Sequence, residues 1–149
     1  MTKEERCRKA VEYHATTLNC AQSVLAAFSD VIGMTEEQCC AIGSGLGRGM
    51  RYESTCGAVS AAIVILGILY PHTLANGMEG KDRSTRLTLE FQRRFSELFS
   101  HLDCRDLLLK ETPHRTGITE TLNVTARCDV YIASAVELLC DMLEELEKE

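Results

Sequence analysis

Thr55 to Pro71 reads TCGAVSAAIVILGILYP, and within it Ala58 to Tyr70 is the longest apolar run of the chain. That run falls short of the ~20 apolar residues that span a bilayer, and Pro71 closes it. Its β-branched residues sit in one continuous block with alanine and leucine instead of alternating with polar residues. It therefore reads as a buried central helix and not as a strand.

Working outward, helical periodicity predicts further helices over Lys3 to Thr16, Cys20 to Ile32, Thr35 to about Ile42, Asp82 to His101, Cys104 to about Lys110 and Thr125 to Lys148, with the apolar run inside Thr55 to Leu69. Thr2 with Glu5 and Thr35 with Gln38 form capping-box patterns. Ile132, Val136, Leu139, Leu143 and Leu146 mark one buried face of the last helix. That seam serves equally well inside a bundle or against a second copy, so a homodimer stands as an alternative. The expectation is an all-α fold: one domain over residues 1–149, a bundle of about six or seven helices with a Gly-rich loop before the central apolar helix.

A chain of 149 residues buries a proper core but is too short to favour two domains. A net charge of -6 argues against nucleic acid and anionic membrane surfaces as partners, since both need clustered Lys and Arg. The densest basic segment, Arg83 to Arg94, is interleaved with Leu87, Glu90 and Phe91 and reads as a solvated amphipathic face. The opening MTKEERCRKAVEYHATT lacks the apolar core of a secretory signal, so a cytoplasmic location is expected. In a reducing compartment eight cysteines point to metal or redox chemistry more than to a disulfide framework.

The cysteines divide into two sets. Cys20 follows Asn19, Cys56 follows Ser54 and Thr55, and Cys104 follows Asp103, each at a helix start; Cys128 comes just after a cap at Thr125 or Asn123. Free N–H groups and the helix dipole favour a thiolate there, which makes these four candidate working thiols, with Cys56 the expected nucleophile or central ligand. Cys39 and Cys40 fall inside a helix and read as packing residues, Cys140 borders the last helix's core stripe, and Cys7 has no assigned role.

The loop Gly43-Ser44-Gly45-Leu46-Gly47-Arg48-Gly49-Met50 puts glycine at every second position. Bare backbone approaches a ligand closely, so Gly45, Gly47, Gly49 and Gly57 are candidate cofactor contacts; a linker packed against neighbouring helices is the structural alternative. The loop fits neither the Walker nor the dinucleotide fingerprint. Thr112 to Asn123, with Pro113 and Gly117, reads as a connector and a candidate mobile flap. His14, His72, His101 and His114 are scattered and suit solvent-facing or helix-end positions, although His101 is near enough in sequence to tune Cys104.

No CxxC, paired CxxC or CxxCH occurs, so a local redox motif, a zinc ribbon and covalently attached haem are not expected. If the four helix-start sulfurs converge through folding, two chemistries follow. One is thiol–disulfide exchange with an unknown redox partner; the other is zinc or iron–sulfur ligation by Cys20, Cys56, Cys104 and Cys128. A non-catalytic helical interaction protein is a third reading.

Four ordered segments, NCAQSVLAAF at Cys20, GSGLGRGM with TCGAVSAAIVILG at Cys56, DCRDLL at Cys104 and CDVYIASAVELL at Cys128, resemble the C-GCAxxG-C-C family of small bacterial and archaeal proteins regarded as redox-active. The resemblance covers nearly the whole chain and implies that the same four cysteines carry a redox or metal role. Where the family motif has a second glycine this chain has Ala61, a small residue and a better helix former.

Overall fold

In a computed structural model describing residues 1–149 the chain is all-helical, with nine α-helical segments where about six or seven are expected. Thr2 and Glu5 close the expected capping box at the start of α1 (Lys3–His14). Asn19 and Gln22 do the same for α2 (Cys20–Ala27). The second expected helix breaks at Phe28 (φ -108, ψ 12), leaving a short α3 (Ser29–Ile32) that ends in left-handed Gly33. Thr35 and Gln38 cap α4 (Glu36–Gly43).

Between α4 and α5 (Gly57–Leu69) the chain makes a wide turn at Gly49–Glu53 whose backbone is largely left-handed. α6 (Gly77–Phe99) begins ahead of the expected Asp82: Gly77, at φ 50, makes a left-handed entry and Gly80 is accommodated inside the helix. A Cβ at Gly80 would lie 1.8 Å from Asn76 Oδ1, so the missing side chain is the space that Asn76 fills.

α7 (Cys104–Leu107) stops short of Lys110. The Leu107 and Leu108 carbonyls, which a longer helix would use, accept instead from the Tyr131 hydroxyl and the Arg127 guanidinium, each at 2.7 Å. Thr112 to Asn123 is not a bare connector, because Thr116 caps α8 (Gly117–Thr121), which packs on α9 (Arg127–Glu147).

α5 turns Ala58, Val59, Ala61, Ala62 and Ile65 into the core and packs against α2, α6 and α9. Ala61 is fully buried, so its methyl is accommodated in the helix packing. α1 lies along α9, tied by Lys3 to Asp141 at 2.8 Å, while Arg6 on α1 reaches Asp30 on α3 at 2.6 Å. The amphipathic stripe of α6 buries Phe91, Phe95 and Phe99, and Phe99 meets Tyr131 of α9 edge to face at 4.9 Å. Tyr131 is thereby gripped by rings on one side and by the α7 carbonyl on the other. In the apolar seam of α9, Ile132, Val136 and Leu139 are fully buried within the chain, while Leu143 and Leu146 are half-buried. No helix is long and apolar enough to cross a membrane.

Candidate functional site

The starts of α2, α5, α7 and α9 meet around a cavity of about 230 Å³, and Cys20, Cys56, Cys104 and Cys128 all line it. Cys20 is the first residue of α2, held there by the Asn19 side chain, which accepts from the Gln22 N–H at 2.8 Å. Cys104 opens α7 after Asp103.

The other two sit differently from expectation. Cys56 is itself the cap residue of α5, because Ser54 and Thr55 are drawn into an extended clip. Thr55 pairs antiparallel with Asp103, the Cys56 N–H donates to Leu102 O at 2.8 Å, and the Cys104 N–H donates to Ser54 O at 2.6 Å. Side chains alternate across such a pair, so Cys56 and Cys104 fall on its same face. Cys128 is the second residue of α9, whose cap position is Ala126, and neither Thr125 nor Asn123 fills that role. Asn123 is committed elsewhere: at φ 55 it ends α8, with its N–H on Glu120 O at 3.1 Å and the Val124 N–H on Thr119 O at 2.8 Å.

Of the glycines expected to touch a cofactor, only Gly57 lines the cavity. A Cβ on Gly57 would lie 2.4 Å from Cys20 Sγ, so this glycine seats a protein sulfur. The room at Gly47 is taken by the Asn19 side chain, which a Cβ would meet at 2.5 Å, and Gly49 (φ 61) lies against the Ser54 backbone at 2.4 Å by the same measure. Gly45 faces open space.

At Cys56, Cys104 and Cys128 burial opposes the pull of the helix starts. Burial pushes the Cys56 thiol up to about 12, reinforced by neighbouring Cys20; the N–H groups of Ala58 and Val59 pull the other way without closing a capping hydrogen bond. Burial also raises Cys104, against the pull of Arg48, and Cys128, against the pull of Arg127. Cys56, Cys104 and Cys128 each feel a charge on Cys20, which makes Cys20 their common neighbour. Cys20, Cys104 and Cys128 are half-buried, whereas Cys56 is only 7 % exposed and least open to attack from solvent.

Four further lining residues carry no signal in the local sequence. His14, the last residue of α1, donates from Nδ1 to Asp129 at 2.8 Å, since a carboxylate can only accept. In the neutral ring its Nε2 is then the acceptor, and His14 lines the cavity. Arg48 and Arg51 reach the cavity from the left-handed turn, and Tyr131 lines it from α9. His101 pairs at 3.8 Å with Asp106 and is not part of the lining.

All eight cysteines are free thiols. No three His, Cys, Asp or Glu side chains are placed to hold a metal ion, so the four sulfurs surround a space without forming the ~2.3 Å thiolate shell of a zinc centre. Cys7, Cys39, Cys40 and Cys140 lie outside the lining; Cys7 is fully buried and its thiol donates to Ala133 O at 3.5 Å.

A family profile described as "Putative redox-active protein (C_GCAxxG_C_C)" matches residues 18–142. Neither the curated proteins nor the solved structures contain a match.

Proposed function

The chain belongs to the C_GCAxxG_C_C family, and from that premise we propose that it performs thiol–disulfide redox chemistry in the cavity lined by Cys20, Cys56, Cys104 and Cys128. The observation that carries this reading is the convergence of four sulfurs, far apart in sequence, on one cavity. Cys20 is the best-placed attacking group, being half-buried and adjacent to the other three. Cys56, deeper and held as a thiol, suits the resolving role.

His14 takes the proton of the attacking thiol onto Nε2, with Asp129 fixing the ring from Nδ1. The thiolate attacks one sulfur of a substrate disulfide, the substrate S–S bond breaks, and its other sulfur leaves as a thiolate that His14 reprotonates. A second cavity cysteine then attacks the protein sulfur of the mixed disulfide, closing a protein disulfide and releasing the second substrate half as a thiol. Two protein thiols have lost two electrons and two protons, and one substrate disulfide has gained them. A side-chain rotation within the cavity is needed to join two of the free sulfurs.

Anaerobic purification, elemental analysis and peptide mapping after mild oxidation test this. The expected result is metal-free protein with a reversible disulfide confined to the cavity set and lost in Cys20→Ser. Stoichiometric iron or zinc, or disulfides only among Cys7, Cys39, Cys40 and Cys140, would overturn it.

A further inference from the structure

We infer that the cavity takes anionic low-molecular-weight disulfides, selected at its mouth by Arg48 and Arg51. The inference rests on the thiol–disulfide reading and names the substrate class of that same site.

The chain as a whole is acidic, at -6, yet the cavity lining holds two arginines and no carboxylate. Arg48 has one acidic neighbour, Glu53 at 3.8 Å, in an exposed pair of the kind worth about 0–1 kcal/mol, which an incoming carboxylate can displace. Arg51 is exposed beside it. Guanidinium forks match carboxylates in two-point contacts, so the pair reads the charge of a substrate and not its sulfur.

Holding these arginines there is costly. Arg48 (φ 53), Met50 (φ 58), Arg51 (φ 61) and Glu53 (φ 55) all adopt left-handed backbone, which glycine or asparagine takes with least strain. Strain kept at the rim of a cavity that gathers four thiols is consistent with a functional demand on the side chains it presents. The volume limits the substrate as well: about 230 Å³ is smaller than the ~300–1,000 Å³ of drug-sized pockets. One half of a small disulfide enters to meet Cys20, while its charged end stays at the arginines. The exchange step is unchanged: the substrate S–S bond opens and the anionic half departs as a thiolate.

The test uses the reduced full chain and three disulfides: oxidised glutathione (anionic), bis(2-hydroxyethyl) disulfide (neutral) and cystamine (cationic). At low salt the second-order rate constants should fall in that order, glutathione leading the neutral probe by about tenfold, and the spread should collapse at high salt. Combining Arg48→Gln with Arg51→Gln should bring the ratio close to one; should that variant fail to fold, the salt dependence of the native chain still decides. Equal rates for the three probes, or a preference that survives both substitutions, overturns the anionic class while leaving the thiol reading standing. No exchange with any probe sinks the thiol reading and this inference with it.

Discussion

Cys7 and Cys56 are both buried and both hold their protons more tightly than an ordinary thiol, yet one sits in a helix seam and the other in a shared cavity. Cys7 donates to the Ala133 carbonyl between α1 and α9, and Cys140, Glu137, Lys3 and Asp141 act on it only through charge, with no cavity shared among them. Cys56 has Cys20 and Cys104 around it, and His14 lines the same cavity. Depth and acidity thus do not separate the helix-seam cysteine from the cavity cysteine; the shared cavity does.

The comparison breaks most visibly in labelling. In a short iodoacetamide pulse on the native chain, Cys20 and Cys104 should alkylate at least about a hundredfold faster than Cys7, since a local opening of α1 from α9 costing about 3 kcal/mol suffices for that ratio. Peptide mass spectrometry reads the sites. Equal labelling of Cys7 and Cys104 would erase the distinction.

Next in size is the alkaline limb of stability. The unfolded thiol ionises near ~8.5, while Cys56 in the fold is raised to about 12. Above ~8.5 the unfolded state releases a proton that the folded state keeps, so the Cys56 contribution is complete below that pH and drains away as pH rises toward about 12. The loss is about 1.4 kcal/mol per pH unit for each such thiol. Urea melts under reductant at several alkaline pH values should therefore flatten by one thiol's share in Cys56→Ala, and by a similar share in Cys7→Ala. A slope unchanged by Cys56→Ala would mean that the N–H groups of Ala58 and Val59 hold a thiolate after all, which sharpens the contrast with Cys7 and places the working charge on Cys56.

A smaller effect separates the glycines. Gly57→Ala drives a methyl into Cys20 Sγ and toward Leu46 O, whereas Gly45→Ala meets nothing. The first should cost about 1–3 kcal/mol in chemical denaturation, the usual range for overpacking. The second should be close to neutral. If the two behave alike, the packed junction between Cys20 and α5 is not where the geometry puts it.

How much of this could be read beforehand follows the range of each signal. The all-helical fold, the capping boxes at Thr2 and Thr35, the cap at Asn19 and the choice of Cys20 and Cys104 as helix-start thiols lie in residues three or four apart, and such patterns survive folding. The short α7 is decided by distant groups, since Tyr131 and Arg127 take carbonyls that α7 would have used, whereas the early start of α6 is hidden by glycines that read as breakers and the break at Phe28 carries no side-chain cap to signal it. The clip between Thr55 and Asp103 is a single pair with no alternating pattern to betray it. His14 reads locally as a helix-end histidine, and only the packing of α1 on α9 brings Asp129 to it. In the glycine loop the packed-linker alternative describes Gly47 and Gly49, where Asn19 and Ser54 occupy the room a ligand would need.

The smallest effect tests what holds the cavity's lower wall. Tyr131→Phe keeps the ring against Phe95 and Phe99 and removes only the hydroxyl that donates to Leu107 O at 2.7 Å. A buried carbonyl losing its partner costs about 1 kcal/mol, up to ~3 if no water replaces it. The loss falls on α7, whose remaining ties are the Arg127 bond to Leu108 O and the clip at Ser54. Cys104 should then label a few-fold faster than in the native chain, while Cys7, held against the Ala133 carbonyl outside the cavity, keeps its rate. A faster Cys7 would mean that α9 itself has loosened and that the two sets of sulfurs share one structural support; a Cys104 rate that does not move would mean that the Thr55 to Asp103 clip alone positions that thiol.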